Sequence, residues 1–123
     1  MNYRTGMNTP HVLSATTLIK NAVKNPQGEN LGEIEDFMID LTSGRIAYAV
    51  LSFGGFLGIG DKLFAIPWEA MTLDTEEKCF VLNVDKEILK EAPGFDKDNW
   101  PATTDDEWLL DVYEYYGYPP YWK

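Results

Sequence analysis

The sequence predicts a mainly β protein: a small antiparallel barrel of short strands, with short helices and an aromatic helical tail at the C-terminal end. Three observations predict it. Short apolar runs recur between glycine-containing turns. One of those runs, Arg45 to Phe53, is apolar or small on both faces, as in a central strand covered from above and below. From Gly94 to Lys123 the composition changes, with acids far outnumbering bases and tryptophans and tyrosines concentrated together. The natural division is an N-terminal arm over 1–12, the barrel domain over 13–93, and an acidic aromatic extension over 94–123.

Met1 to His11 lacks periodicity and reads as a loose arm. Ser14 is a helix N-cap candidate, opening one short turn through Ala15 to Leu18. Ile19 to Asn25 predicts a first strand centred on Ala22 and Val23. Asn25-Pro26-Gln27-Gly28 is a turn signal. Leu31 to Leu41 predicts the next strand, but its alternation slips. Ile34 starts one face, whereas Phe37, Ile39 and Leu41 have the opposite parity. One extra residue near Asp36, a β-bulge, would restore a single buried face.

Leu41-Thr42-Ser43-Gly44 is short enough for a hairpin loop leading into Arg45 to Phe53. In that strand Ile46, Tyr48 and Val50 share one face, and Ala47, Ala49, Leu51 and Phe53 share the other. Gly54, Gly55, Gly58 and Gly60 then form a glycine-rich connection. Lys62 to Pro67 resumes an extended run that Pro67, lacking a backbone donor, should end. A brief strand near Thr72 and Leu73 follows, then a charged turn over Thr75 to Lys78. Cys79 to Val84 is a strand with Phe80, Leu82 and Val84 on one face. Asp85 can cap a short helix from Lys86 to Glu91, ended by Pro93-Gly94. In the tail, Thr104-Asp105-Asp106-Glu107 matches a capping box. Leu109, Val112, Tyr113 and Tyr116 recur at helical spacing beyond it, and Gly117 supplies a stop. So much aromatic surface predicts docking, either on the chain's own barrel or on a partner.

Charge and motifs narrow the function. A formal net charge of −10 opposes direct binding to nucleic-acid phosphates and suits a basic partner or a solvated surface. The lone Cys79 excludes an intrachain disulfide and a cysteine-based zinc site. Met1 to Pro10 is polar, and no apolar run approaches the ~20 residues that span a bilayer, so the expected location is the cytoplasm with no transmembrane segment. Gly55 and Gly60 have phosphate-loop spacing, but Asp61 stands where lysine belongs and a strand follows instead of a helix. Glu33, Glu35, Asp36 and Asp40 are split between faces by strand alternation and read as a solvated face, not a metal site. Arg45 and Lys62 are the cations expected to pair with them. The only histidine, His11, lies in the arm, so no nucleophile dyad has ordered support. No catalytic residue, metal or cofactor is expected.

Taken together, the turns are more specific than any one of them. Asn25-Pro26-Gln27-Gly28-Glu29, Leu31-Gly32-Glu33-Ile34-Glu35-Asp36, Ile39-Asp40 and Ser43-Gly44-Arg45-Ile46 are followed by Ser52 to Lys62 and by Ile66-Pro67-Trp68-Glu69. This series, from about Leu13 to Pro93, resembles the PRC-barrel domain. The resemblance implies a barrel of about six strands and a role in assembly or docking. That domain is found in the H subunit of purple bacterial photosynthetic reaction centres and in the C-terminal half of a ribosome maturation factor. The resemblance carries no catalytic residues. The aromatic tail lies outside it.

Two functions from different classes follow. The first is a non-enzymatic interaction module that forms a homodimer, because a lone small barrel has little to cover the second face of its central strand. The contact residues would be Tyr48, Val50, Leu51 and Phe53, with Phe56 and Leu57 of the loop and Trp108, Val112 and Tyr116 of the tail helix. The alternative is a small-molecule or metal-responsive binding protein using the acidic aromatic tail, since tyrosine and tryptophan faces beside carboxylates suit cations.

Overall fold

The computed structural model describes residues 2–4, 12–53, 62–102 and 106–122. The strands are β1 (Asn2–Arg4), β2 (Ala22–Lys24), β3 (Asn30–Ile39), β4 (Ile46–Phe53), β5 (Lys62–Ile66), β6 (Met71–Asp74), β7 (Cys79–Leu82) and β8 (Gly94–Phe95). The helices are α1 (Ala15–Leu18), α2 (Lys86–Lys90) and α3 (Asp106–Tyr116), and a 3-10 turn covers Trp68–Ala70. The expected order of elements holds. The structure adds β8, where only a helix stop was expected, and β1 within the segment read as a loose arm.

Local chemistry sets several boundaries. Ser14 caps α1 by accepting a hydrogen bond from the Thr17 amide at 3.2 Å. Asp85 stands at the N-cap position of α2, but its side chain makes no capping bond there. The expected capping box at Thr104 and Asp105 lies outside the described residues. At the other end of α3, Gly117 adopts a φ of +79°. Its amide bonds the Glu114 carbonyl, and the Tyr118 amide bonds the Tyr113 carbonyl, so two orphan carbonyls are satisfied at once.

The strands form one sheet in the order β1-β6-β7-β2-β3-β4-β5-β8. It is not wholly antiparallel, as the sequence suggested. β2 runs parallel to β7, and β1 runs parallel to β6. These pairs bring together strands from opposite ends of the domain, so no tight hairpin fixes their direction. The β3–β4 ladder carries the expected bulge. Ile34 faces Leu51 and Asp36 faces Val50, leaving Glu35 as the extra residue. A second register shift falls between Met38 and Ile39. It changes the outcome for the strand end: Ile39 is half exposed and Leu41, in the turn, almost fully exposed, so neither joins the buried face. At Gly32 (φ +126°) the β3 backbone lies against β4, and an added Cβ would sit 2.1 Å from the Ser52 carbonyl oxygen.

One face of β2 through β7 supplies a single core. Val23, Leu31, Ile34, Phe37, Leu51, Phe64, Ile66, Met71, Phe80 and Leu82 pack there, with Leu89 of α2. The described edge strands β1 and β8 do not pair with each other, so the sheet of described strands is not closed. Cys79 is buried within β7. Among the described residues, the cation paired with the acidic β3 strand is Lys20, where Arg45 and Lys62 were expected. Its Nζ lies 2.8 Å from Glu35 and 3.7 Å from Glu33, and the Glu35 hydrogen bond raises its pKa.

Candidate functional site

The functional surface begins with β4, which is buried on both sides. Leu51 and Phe53 enter the main core. Ala47, Tyr48 and Val50, with Leu63 and Ala65 of β5, form a second apolar face. The sequence reading required a cover for it. The structure supplies that cover from the same chain: α3 lies over the face, with Val112 buried in the cluster and Trp108, Leu109 and Tyr116 packed against it. Tyr48 meets Trp108 edge-on at 5.7 Å, and Trp108 meets Phe95 of β8 at 5.9 Å.

The structure therefore brings together Tyr48, Val50, Trp108, Val112 and Tyr116 from the residues expected to form an intermolecular contact. It does so within one chain. Val50, Leu51 and Val112 have no exposed surface, and Tyr48 and Phe53 only 8% each, so this face of the single chain is already filled. The idea that the barrel has nothing with which to cover it is corrected. Its physical reason is the helical stripe of the tail, which fits the β4–β5 pleat. Phe56 and Leu57 lie outside the described residues.

Polar anchors hold the tail in place. The buried Tyr113 hydroxyl donates to the Ala47 carbonyl at 2.6 Å. Burial, followed by the charges of Tyr121 and Glu69, pushes its pKa well above the usual phenol value. The Tyr121 hydroxyl donates to Asp40 Oδ2 at 2.6 Å, and Arg45 Nη1 donates to the Tyr121 carbonyl at 2.9 Å. Asp40 also accepts from the Thr42 and Ser43 amides, closing the β3–β4 loop. One loop thus clamps both the side chain and the backbone of Tyr121. The sequence reading missed this clamp, because Asp40 looked like one more solvated acid. Tyr115 donates to the Ile88 carbonyl, joining α3 to α2. Tyr116 is a further anchor in packing only. Its buried hydroxyl has no partner among the described residues, and burial raises its pKa.

These shifts give a signed pH dependence. The bond from Tyr121, then those from Thr42 and Ser43, lowers the Asp40 pKa from its model-compound value of 3.8. A depressed carboxyl contributes stability above its unfolded pKa and loses it as pH falls through the folded one. On the alkaline side, burial first and the Asp40 bond second push Tyr121 up to about 12 from 10.0. That contribution is complete below pH ~10 and is lost as pH rises towards the folded value. Tail docking, read by near-ultraviolet circular dichroism, should therefore be constant near neutrality and weaken below pH ~4 and above pH ~10. A flat signal across both limits would contradict the clamp.

Where the tail meets the sheet there is a cleft of about 410 Å³, lined by Arg45, Ile46, Trp68, Glu69, Tyr113 and Tyr121. Trp68, in the 3-10 turn, is edge-on to Phe37 at 5.4 Å and Phe80 at 5.9 Å. Among the described residues there is no group of three or more histidine, cysteine, aspartate or glutamate side chains placed to hold a metal. No described helix is long and apolar enough to cross a membrane.

The family model for the PRC-barrel domain matches residues 10–89, well over half of the chain. The chain belongs to the PRC-barrel family. The match ends at α2, so the β8 strand, α3 and the aromatic end are additions to the PRC-barrel domain. Comparison with curated proteins gave no match.

Proposed function

We propose that this PRC-barrel protein is a non-enzymatic protein-interaction and assembly module that self-associates. One observation carries the reading: a segment from beyond the family domain is seated on the domain's outer β4–β5 face as an amphipathic aromatic helix. A face that holds such a helix has the chemistry of a protein interface, with an apolar centre, aromatic anchors and polar pins at its rim. The single core shared by β2 through β7 supports closure into the small barrel of about six strands that the family name describes.

Since the second apolar face of β4 and β5 is filled from within, the contact between copies lies on the outward side of the docked tail. In the extension, Trp100, Tyr115, Tyr118 and Trp122 each remain more than a third exposed. Aromatic side chains in that state are over-represented at interfaces. Light scattering on the full chain should give twice the chain mass, and replacing Trp100 and Tyr118 with serine, which leaves the Tyr115 and Trp122 contacts of the tail in place, should give a folded monomer. A wild-type chain that stays monomeric at every concentration would overturn self-association. A serine variant that stays dimeric would move the contact off the tail.

A further inference from the structure

We propose that the cleft between the tail and the sheet is a binding site for a small zwitterion with an apolar or aromatic body, of the free amino-acid type. The argument starts from the lining. Four separate segments converge on it: the start of β4, the 3-10 turn, α3 and the C-terminal end. Its volume of about 410 Å³ is within the ~300–1,000 Å³ common for small-molecule sites. Its lining includes the aromatic residues Trp68, Tyr113 and Tyr121 and the aliphatic Ile46. These suit a flat or branched apolar group.

Two opposite charges complete it. Arg45 brings a guanidinium with several N–H donors in a fork that matches a carboxylate. One of them, Nη1, holds the Tyr121 carbonyl, which fixes the fork in place. Glu69 brings a carboxylate. A carboxylate has several lone-pair sites, so it can receive an ammonium group in addition to other partners. Both charges are felt inside the cleft: Glu69 helps to raise the Tyr113 pKa, and Arg45 acts to lower that of Tyr121.

The charge of the whole chain helps select the ligand. At −10, the protein repels simple anions, which disfavours a carboxylate or phosphate without a balancing cation. A lone organic cation would meet Arg45. A zwitterion satisfies both groups with no net charge. Two of the walls belong to the tail, so the occupied cleft would also tie the tail to the sheet, and the ligand should stabilise the docked form.

The test is calorimetry on the full chain with L-phenylalanine, with phenethylamine and 3-phenylpropionate as probes that each keep one charge. L-phenylalanine should bind saturably and raise the melting temperature. Each one-charge probe should bind at least about tenfold more weakly, as expected on loss of a charge-assisted contact. Glu69→Gln should weaken L-phenylalanine without weakening 3-phenylpropionate, which makes no use of that carboxylate. No saturable binding of L-phenylalanine at millimolar concentration, or equal binding of all three probes, would overturn the proposal. The proposal stands apart from self-association, and light scattering on the same samples separates them: a monomer that binds L-phenylalanine would sink the first reading and keep this one.

Discussion

Val112→Asp should strip the tail from the sheet. Val112 is fully buried between α3 and the β4–β5 face, beside Tyr48, Val50, Leu63 and Ala65. An aspartate there has no charge partner in an apolar cluster, and burying an unpaired carboxylate is far costlier than losing a valine contact. The helix would leave instead, exposing the apolar face it had covered. We expect a loss on the order of 3 kcal/mol or more, as for other unpaired charges introduced into a core. That corresponds to a fall in melting temperature of roughly 10 °C. The near-ultraviolet signal of Tyr48 and Trp108 should collapse, and proteolysis should cut the tail, while far-ultraviolet strand signal persists. An unchanged melting curve would mean that α3 is not seated on this face.

Gly32→Ala should be as damaging, for a backbone reason. The added methyl would lie 2.1 Å from the Ser52 carbonyl oxygen and 3.0 Å from its carbon. Neither atom belongs to a flexible side chain, so β3 and β4 would have to separate. The φ of +126° at Gly32 is also strained for any residue with a Cβ. Loss of the close β3–β4 approach next to Ile34 and Leu51 would open the main core. We expect at least ~3 kcal/mol of destabilisation, a large share of the roughly 5–15 kcal/mol by which such domains are stable. Gly28→Ala is the internal control: its φ is +85°, but no atom lies within 4 Å of the added Cβ. It should cost only about 1 kcal/mol through local strain. Equal melting temperatures for the two variants would refute the steric account.

Much of this architecture was legible in the sequence, because local signals and burial agree over most of the sheet. The double apolar face of β4, the bulge at Glu35 and the helical stripe from Leu109 to Tyr116 all follow from side-chain periodicity. What escaped has a common cause. The parallel β2–β7 and β1–β6 pairs depend on contacts between distant segments, which leave no periodic trace. The Asp40–Tyr121–Arg45 clamp spans the same kind of distance. Arg45 was read as a partner for β3 acids because strand neighbours are visible in sequence and tail neighbours are not. Lys20 took that role from outside the strand. The second face of β4 calls for cover on sequence grounds, and the tail stripe for a docking surface, but nothing in the pattern of either joins the two within one chain. Periodicity identifies two apolar faces without saying which will meet.

The β2–β7 pairing also sets a timetable. β3, β4 and β5 are joined in sequence by antiparallel pairs and can zip together as each leaves the ribosome. β2 is made before all of them, but its second neighbour is β7, close to the end of the family domain. Until Cys79 to Val81 emerge, Ala22 to Lys24 are left with one free ladder edge, and the entropy of closing that long loop is not yet offset. The tail that covers β4 comes later still. The nascent chain therefore carries an unsealed strand edge until β7 is made and an uncovered apolar face until α3 is made, and its acidic character during that interval keeps neighbouring chains apart.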